Sequence, residues 1–173
     1  MSTVVHQPRP MSLLSVDFGD LYARHLCRHS QFGINVIHLI ALYGVWFGVY
    51  AAIYWLVGEW WVPTALAAAY LGLVALNAPL RVVLATAGFL ALLVGGVVCL
   101  PNDLPWWTLA VYAAMVPAFY QLQNLSHKIY TDAADMTEFN KRYPKGRLLF
   151  VVLLVNEVPI LVNYLLFGVK DWR

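Results

Sequence analysis

The sequence predicts an all-α fold, a polytopic membrane helical bundle of about five transmembrane helices preceded by an N-terminal amphipathic helix. Three observations lead there. First, 61% of the 173 residues are hydrophobic and 12% charged, about half the charge of an ordinary soluble domain. Mean hydropathy is +0.67, and a chain this short has no water-soluble core large enough to hide so much apolar surface. Second, there are five apolar runs long enough to cross a bilayer, which takes roughly 20 residues. Third, the basic residues are distributed unevenly between the connections.

The elements follow in chain order. Residues 1–12 contain Gln7, Pro8, Arg9 and Pro10 and no apolar h-region, so the first apolar run is expected to act as an internal signal anchor. Within residues 14–30, Leu14, Phe18, Leu21, Tyr22 and Leu26 recur near helical spacing, with Ser15 or Asp17 as cap. This predicts a helix lying on the membrane surface. The expected spans are 34–57, 60–80, 82–100, 106–126 and 148–169, in a single membrane domain covering 1–173. Short connections between the first four spans argue for antiparallel neighbours. Small residues such as Ala67, Ala68, Gly72, Gly88, Gly95 and Gly96 allow close helix approach. Residues 128–146 form the longest connection, read as a polar cytosolic loop with Asp132, Asp135 and Glu138.

An N-terminus in the cytoplasm places Arg9, Arg24, Arg28, Arg81, Lys128, Lys141, Arg142, Lys145 and Arg147 inside. Of the 11 Lys and Arg, that leaves Lys170 and Arg173, on an outside tail. This is a strong positive-inside bias, and Trp55, Trp60, Trp61, Trp106 and Trp107 mark the outer interface. A net charge of +2 without a basic run gives no reason to expect nucleic acid. Membrane lipids are the expected surroundings, and the sequence leaves the oligomeric state open. Cys27 and Cys99 fall on opposite sides and read as unpaired thiols.

Four of the five histidines fall on one side of this topology. His25 and His29 are four residues apart on the surface helix and share a face. His38 lies in the first turns of span one and His127 ends span four. Neutral imidazoles suit Fe(II), Zn(II) or Cu(II), so His25, His29, His38 and His127 are the candidate metal ligands. Asn35, Gln123 and Asn124 are the candidates for orienting their rings. Glu157 is an ionisable residue in the middle of span five, between Asn156 and Pro159. It reads equally as a functional carboxylate facing the bundle interior or as a protonated carboxyl bonded to Asn or backbone. Pro117 and Pro159 are expected to kink their helices.

Tyr22-Ala-Arg-His25-Leu-Cys-Arg-His29, followed by Asn35-Val-Ile-His38, resembles the opening motif of the yeast-type membrane Fe(II)-dependent 2-hydroxy fatty acid dioxygenases. Gln123-Asn-Leu-Ser-His127 is similar to that family's late-span Gln-x-x-x-His, and Tyr143-Pro144 and Glu157-Val-Pro159 resemble its basic loop and final helix. The chain departs from the family after His29, where Ser-Gln-Phe-Gly stands. The resemblance covers most of the chain at low similarity. It implies a dioxygenase that shortens a 2-hydroxy fatty acid by one carbon, with His29, His38 and His127 on Fe(II). It also implies His25 as a fourth ligand or an orienting group, and Arg28 or Lys128 pairing with the substrate carboxylate. Two other classes stay open: a non-catalytic membrane subunit or scaffold of a larger complex, and, ranked lower, a haem- or quinone-binding protein. A secondary transporter is disfavoured, since five spans show no inverted repeat.

Overall fold

A computed structural model describes residues 12–101, 103–130 and 146–172, with Thr137 and Asn140 between the last two stretches. His6, Arg9, most of the 128–146 connection (including Lys141, Arg142, Lys145 and the Tyr143-Pro144 pair) and Arg173 lie outside the described residues. Among the described residues, six helices run in order: α1 Phe18–Arg28, α2 Phe32–Val57, α3 Trp61–Ala75, α4 Leu80–Val98, α5 Trp107–Ile129 and α6 Arg147–Phe167. A 3-10 turn, Val169–Asp171, follows.

Three of them, α2, α4 and α6, are long and apolar enough to cross a membrane. The other two expected spans form helices that differ in kind. α3 has 15 residues, about 22 Å at 1.5 Å per residue. α5 has 23 residues, but its last turns carry Gln121, Gln123, Asn124, Ser126, His127 and Lys128, which dilute its apolar character.

Each helix has a local cause. The Asp17 carboxylate accepts the Asp20 backbone N–H at 3.0 Å and starts α1. Phe18, Leu21 and His25 are its buried side. α2 has no polar stripe, as expected of a helix surrounded by apolar groups on all sides. It stops at Gly58, whose φ of 75° is the left-handed conformation that glycine adopts without a Cβ clash. Pro159 inside α6 cannot bond the carbonyl of Val155, one turn earlier. That carbonyl instead accepts the Tyr70 hydroxyl of α3 at 2.7 Å. The donor that the proline lacks thus comes from a neighbouring helix. Asn156 bonds Val152 O of its own helix at 2.8 Å.

The most extensive interface joins α2 and α5. Here Gly44 faces the Phe119 ring, and Gly48 faces the Tyr112 carbonyl. The two helices are antiparallel: at one end Gly33 meets Tyr130, and at the other the Trp55 indole N–H donates to Leu104 O at 3.1 Å. The α3–α4 turn lies at the end occupied by α1. Its Asn77 accepts the Val16 N–H at 2.9 Å and donates to Leu13 O at 3.4 Å.

The direction of α6 corrects the sequence expectation. The Tyr164 hydroxyl donates to Ser30 O at 2.6 Å, Tyr22 donates to Asp171 at 2.9 Å, and Trp172 packs on Phe32. The C-terminal end of α6 thus lies beside α1 and the start of α2, not at the opposite surface. Arg147 begins the helix about 25 Å away along its axis. Tyr130 and Arg147 therefore sit at different depths along the bundle. Basic residues alone suggested the reverse direction, but the polar contacts of Tyr164 and Tyr22 bind the helix end to α1. Burial and its bond to Asp171 push the Tyr22 hydroxyl pKa above its ordinary value, so it stays a donor.

Candidate metal centre

Three segments meet at the α1 end of the bundle. His29 follows α1, His38 comes two turns into α2, and His127 lies near the end of α5. Each offers one ring nitrogen, and these atoms all lie within 4.8 Å of one another, a group that could hold a metal ion. The three rings form a near-equilateral triangle: the His29 centroid lies 4.7 Å from that of His38 and 5.0 Å from that of His127. The His38 and His127 centroids are 4.8 Å apart.

Two features of the donor set fit a cation. His38 Nε2 is buried without a hydrogen-bond partner, a condition that native structures rarely leave unexplained. His29 Nε2 and His127 Nε2 are 3.5 Å apart, close to the roughly 3.4 Å between two imidazole ligands at a tetrahedral angle. The 4.8 Å limit is wider than that spacing, so the three donors must draw together to share one ion.

His25 is in the same layer but does another job. Its ring stacks on His29 at 4.5 Å, and its Nε2 lies 2.6 Å from Asn35 Oδ1. Asn35 is fully buried, and its amide donates to His29 O at 2.7 Å and to Gln31 O at 2.8 Å. The His25–Asn35 pair therefore ties α1 to the first turn of α2 and fixes the backbone that carries His29. Burial lowers the His25 pKa to about 4, against the opposing effect of the Asn35 bond. Burial, then the neighbouring imidazoles and Arg28, hold the His29 pKa far below its usual value. Both rings are neutral at physiological pH, the form that binds metals.

On the other side of His38, its Nδ1 lies 3.5 Å from Glu157 Oε1 and 3.3 Å from Gln123 Nε2. The Gln123 amide donates to Glu157 Oε1 at 2.7 Å. When His38 carries its proton on Nδ1, that proton faces the carboxylate and the Nε2 lone pair faces the cluster. Glu157 thus bonds Gln123 and faces His38, while Asn156 bonds its own helix.

The remaining candidates are less central. Asn124 bonds Gln121 on its own helix at 3.4 Å rather than a histidine. Arg28 is exposed at the end of α1, near enough for its charge to act on His29. Lys128 is exposed beside His127. Tyr164 and Ser30, which close the His25 side, were not distinguishable in the sequence from ordinary interfacial residues. The Tyr164 ring lies edge-on to His25 at 6.4 Å. Comparison with protein-family models, curated proteins and solved structures returns no match.

Proposed function

We propose that the chain is a membrane-embedded metal-dependent oxygenase acting on a lipid, a 2-hydroxy fatty acid, with Fe(II) held by His29, His38 and His127. One observation carries this reading: three imidazoles from separate segments converge, with His38 Nε2 buried and unpartnered. The resemblance of the His25–His38 stretch to the 2-hydroxy fatty acid dioxygenases supplies the substrate class. When bound, Fe(II) supplies open coordination positions at which oxygen and a 2-hydroxy carboxylate can meet.

The chain's own residues do the rest. Glu157, 3.5 Å from His38 Nδ1, is assigned to favouring the Nδ1–H tautomer, which keeps the Nε2 lone pair toward the cluster. Gln123 holds the Glu157 carboxylate in place. His25 and Asn35 hold the His29 backbone. Arg28 and Lys128 stand exposed at the rim, where a guanidinium or ammonium can pair with a carboxylate arriving from the membrane surface.

We also place the histidine face at the cytoplasmic boundary, with the N-terminal segment on that side. Arg24, Arg28, Arg81, Lys128 and Lys170 gather at that end of the bundle, while the opposite end carries Glu59, Asp103 and a single basic residue among those described, Arg147.

The test is turnover. Detergent-purified protein loaded with Fe(II) under argon is mixed with a 2-hydroxy fatty acid and oxygen, and products are read by mass spectrometry. The reading expects oxygen-dependent formation of a product one carbon shorter, absent in His38→Ala. Unchanged substrate in the iron-loaded wild type would rule out this activity and favour a non-catalytic membrane subunit.

A further inference from the structure

Deeper in the bundle there is a cavity of about 280 Å³ between α2, α3, α4 and α6. Its size lies near the lower end of ordinary ligand pockets. Its walls include Trp46 and Val49 of α2, Tyr70 of α3, Leu93 of α4 and Val158 of α6. Tyr70 is one of the few lining side chains with a polar atom, and its hydroxyl is committed to the Val155 carbonyl.

The position of this cavity links it to the histidines. Val158 follows Glu157, whose carboxylate faces His38, so one wall of the cavity starts at the depth of the cluster. Along α2 the lining runs from Trp46 to Ile53, about 12 to 22 Å beyond His38 at helical rise. Leu66, on the α3 wall, is 43% exposed, which leaves a side opening toward the surrounding lipid.

We infer that this cavity is the binding site for the unbranched alkyl chain of the substrate, whose polar head is held at the histidines. The inference rests on the lipid-substrate reading given above and adds where the chain lies and what limits its length. An alkyl tail entering past Leu66 meets an almost wholly apolar wall, and Ile53 marks the far end. Bulk placed in the cavity removes the space that the last methylenes of a long chain occupy, and overpacking such a site is unfavourable. Filling the far half of the cavity should therefore discriminate against long chains and spare short ones.

The experiment uses the full-length protein in nanodiscs and a sixteen-carbon 2-hydroxy fatty acid with a diazirine at its last carbons. After illumination, labelled peptides are mapped by mass spectrometry, with a phospholipid carrying the same diazirine as the second arm. The inference expects the fatty-acid probe to label the Trp46–Ile53 and Phe89–Leu93 segments, to be competed by unlabelled 2-hydroxy fatty acid, and to do so where the phospholipid probe does not. Labelling confined to outward residues such as Leu84 and Leu92, or equal labelling of the cavity by both probes, would overturn it. Val49→Phe provides a second readout. It should weaken competition by the sixteen-carbon acid about tenfold while leaving an eight-carbon acid unchanged, and an equal loss for both lengths also counts against the inference. Metal content of the same sample is measured separately. A labelled cavity in a protein that binds no metal would remove the oxygenase reading and leave the chain site standing. Bound metal with labelling elsewhere would remove only the chain site.

Discussion

His38 has two polar neighbours at one ring nitrogen and none at the other. That asymmetry makes Glu157 a positioning residue whose removal can be measured. Glu157→Gln keeps the shape and loses the carboxylate that favours the Nδ1–H form. We expect its metal affinity to fall by about 10–100-fold with the helical circular-dichroism signal unchanged; an unchanged affinity would show that the carboxylate does not act through His38. His25 makes a different prediction, on the metal-free protein. Its folded pKa is about 4 against an ordinary 6.5, so below pH 6.5 the unfolded chain binds more protons than the folded one. Stability from this group is complete above pH 6.5, declines as pH falls toward 4, and loses at most about 3 kcal/mol. His25→Gln should remove that share from the pH dependence of thermal unfolding, leaving the part due to His29; identical pH profiles would contradict it. At this scale the histidines were legible because each lies near a span boundary, where topology alone sorts residues by side. Gln123 and Asn124 were not separable, because neighbours on a helix point about 100° apart and only the packing of α5 shows which faces inward.

The α2–α5 contact determines whether His38 and His127 meet. A Cβ on Gly48 would lie 2.7 Å from the Tyr112 carbonyl oxygen, a backbone atom that can yield only if the helix moves. Gly48→Ala should therefore destabilise the protein by roughly 1–3 kcal/mol and weaken metal retention with it. Gly72→Ala, where a Cβ meets nothing within 4 Å, is the control and should be neutral or mildly stabilising. Chemical denaturation of the two variants in the same detergent decides the matter, and equal stabilities would mean that the α2–α5 spacing is not set at Gly48. Helix existence was legible from apolar length, as was the amphipathic α1. The brevity of α3 was less so, since Leu76 to Leu80 continue an apolar run but turn at Asn77 to reach Val16 and Leu13. The repair of the Pro159 site by Tyr70 joins residues 85 positions apart, a pairing that local sequence does not encode.

For the molecule as a whole, the direction of α6 is the feature that sequence reasoning missed. Positive-inside counting assigned the Lys141–Arg147 cluster to the same side as His127. The contacts of Tyr164, Asp171 and Trp172 instead bring the chain end to α1. In a cysteine-free background, single cysteines at Leu14 and Lys170 should react with a membrane-impermeant maleimide from the same side of a sealed vesicle. Labelling from opposite sides would restore the original direction. The account as a whole stands on the convergence of His29, His38 and His127 from parts of the chain nearly 100 residues apart. The most direct test is the metal content of detergent-purified protein, measured by elemental analysis for the wild type beside His38→Ala and His127→Ala. The account predicts one stoichiometric transition-metal ion in the wild type, lost in both variants with the fold retained; equal trace metal in all three would contradict it.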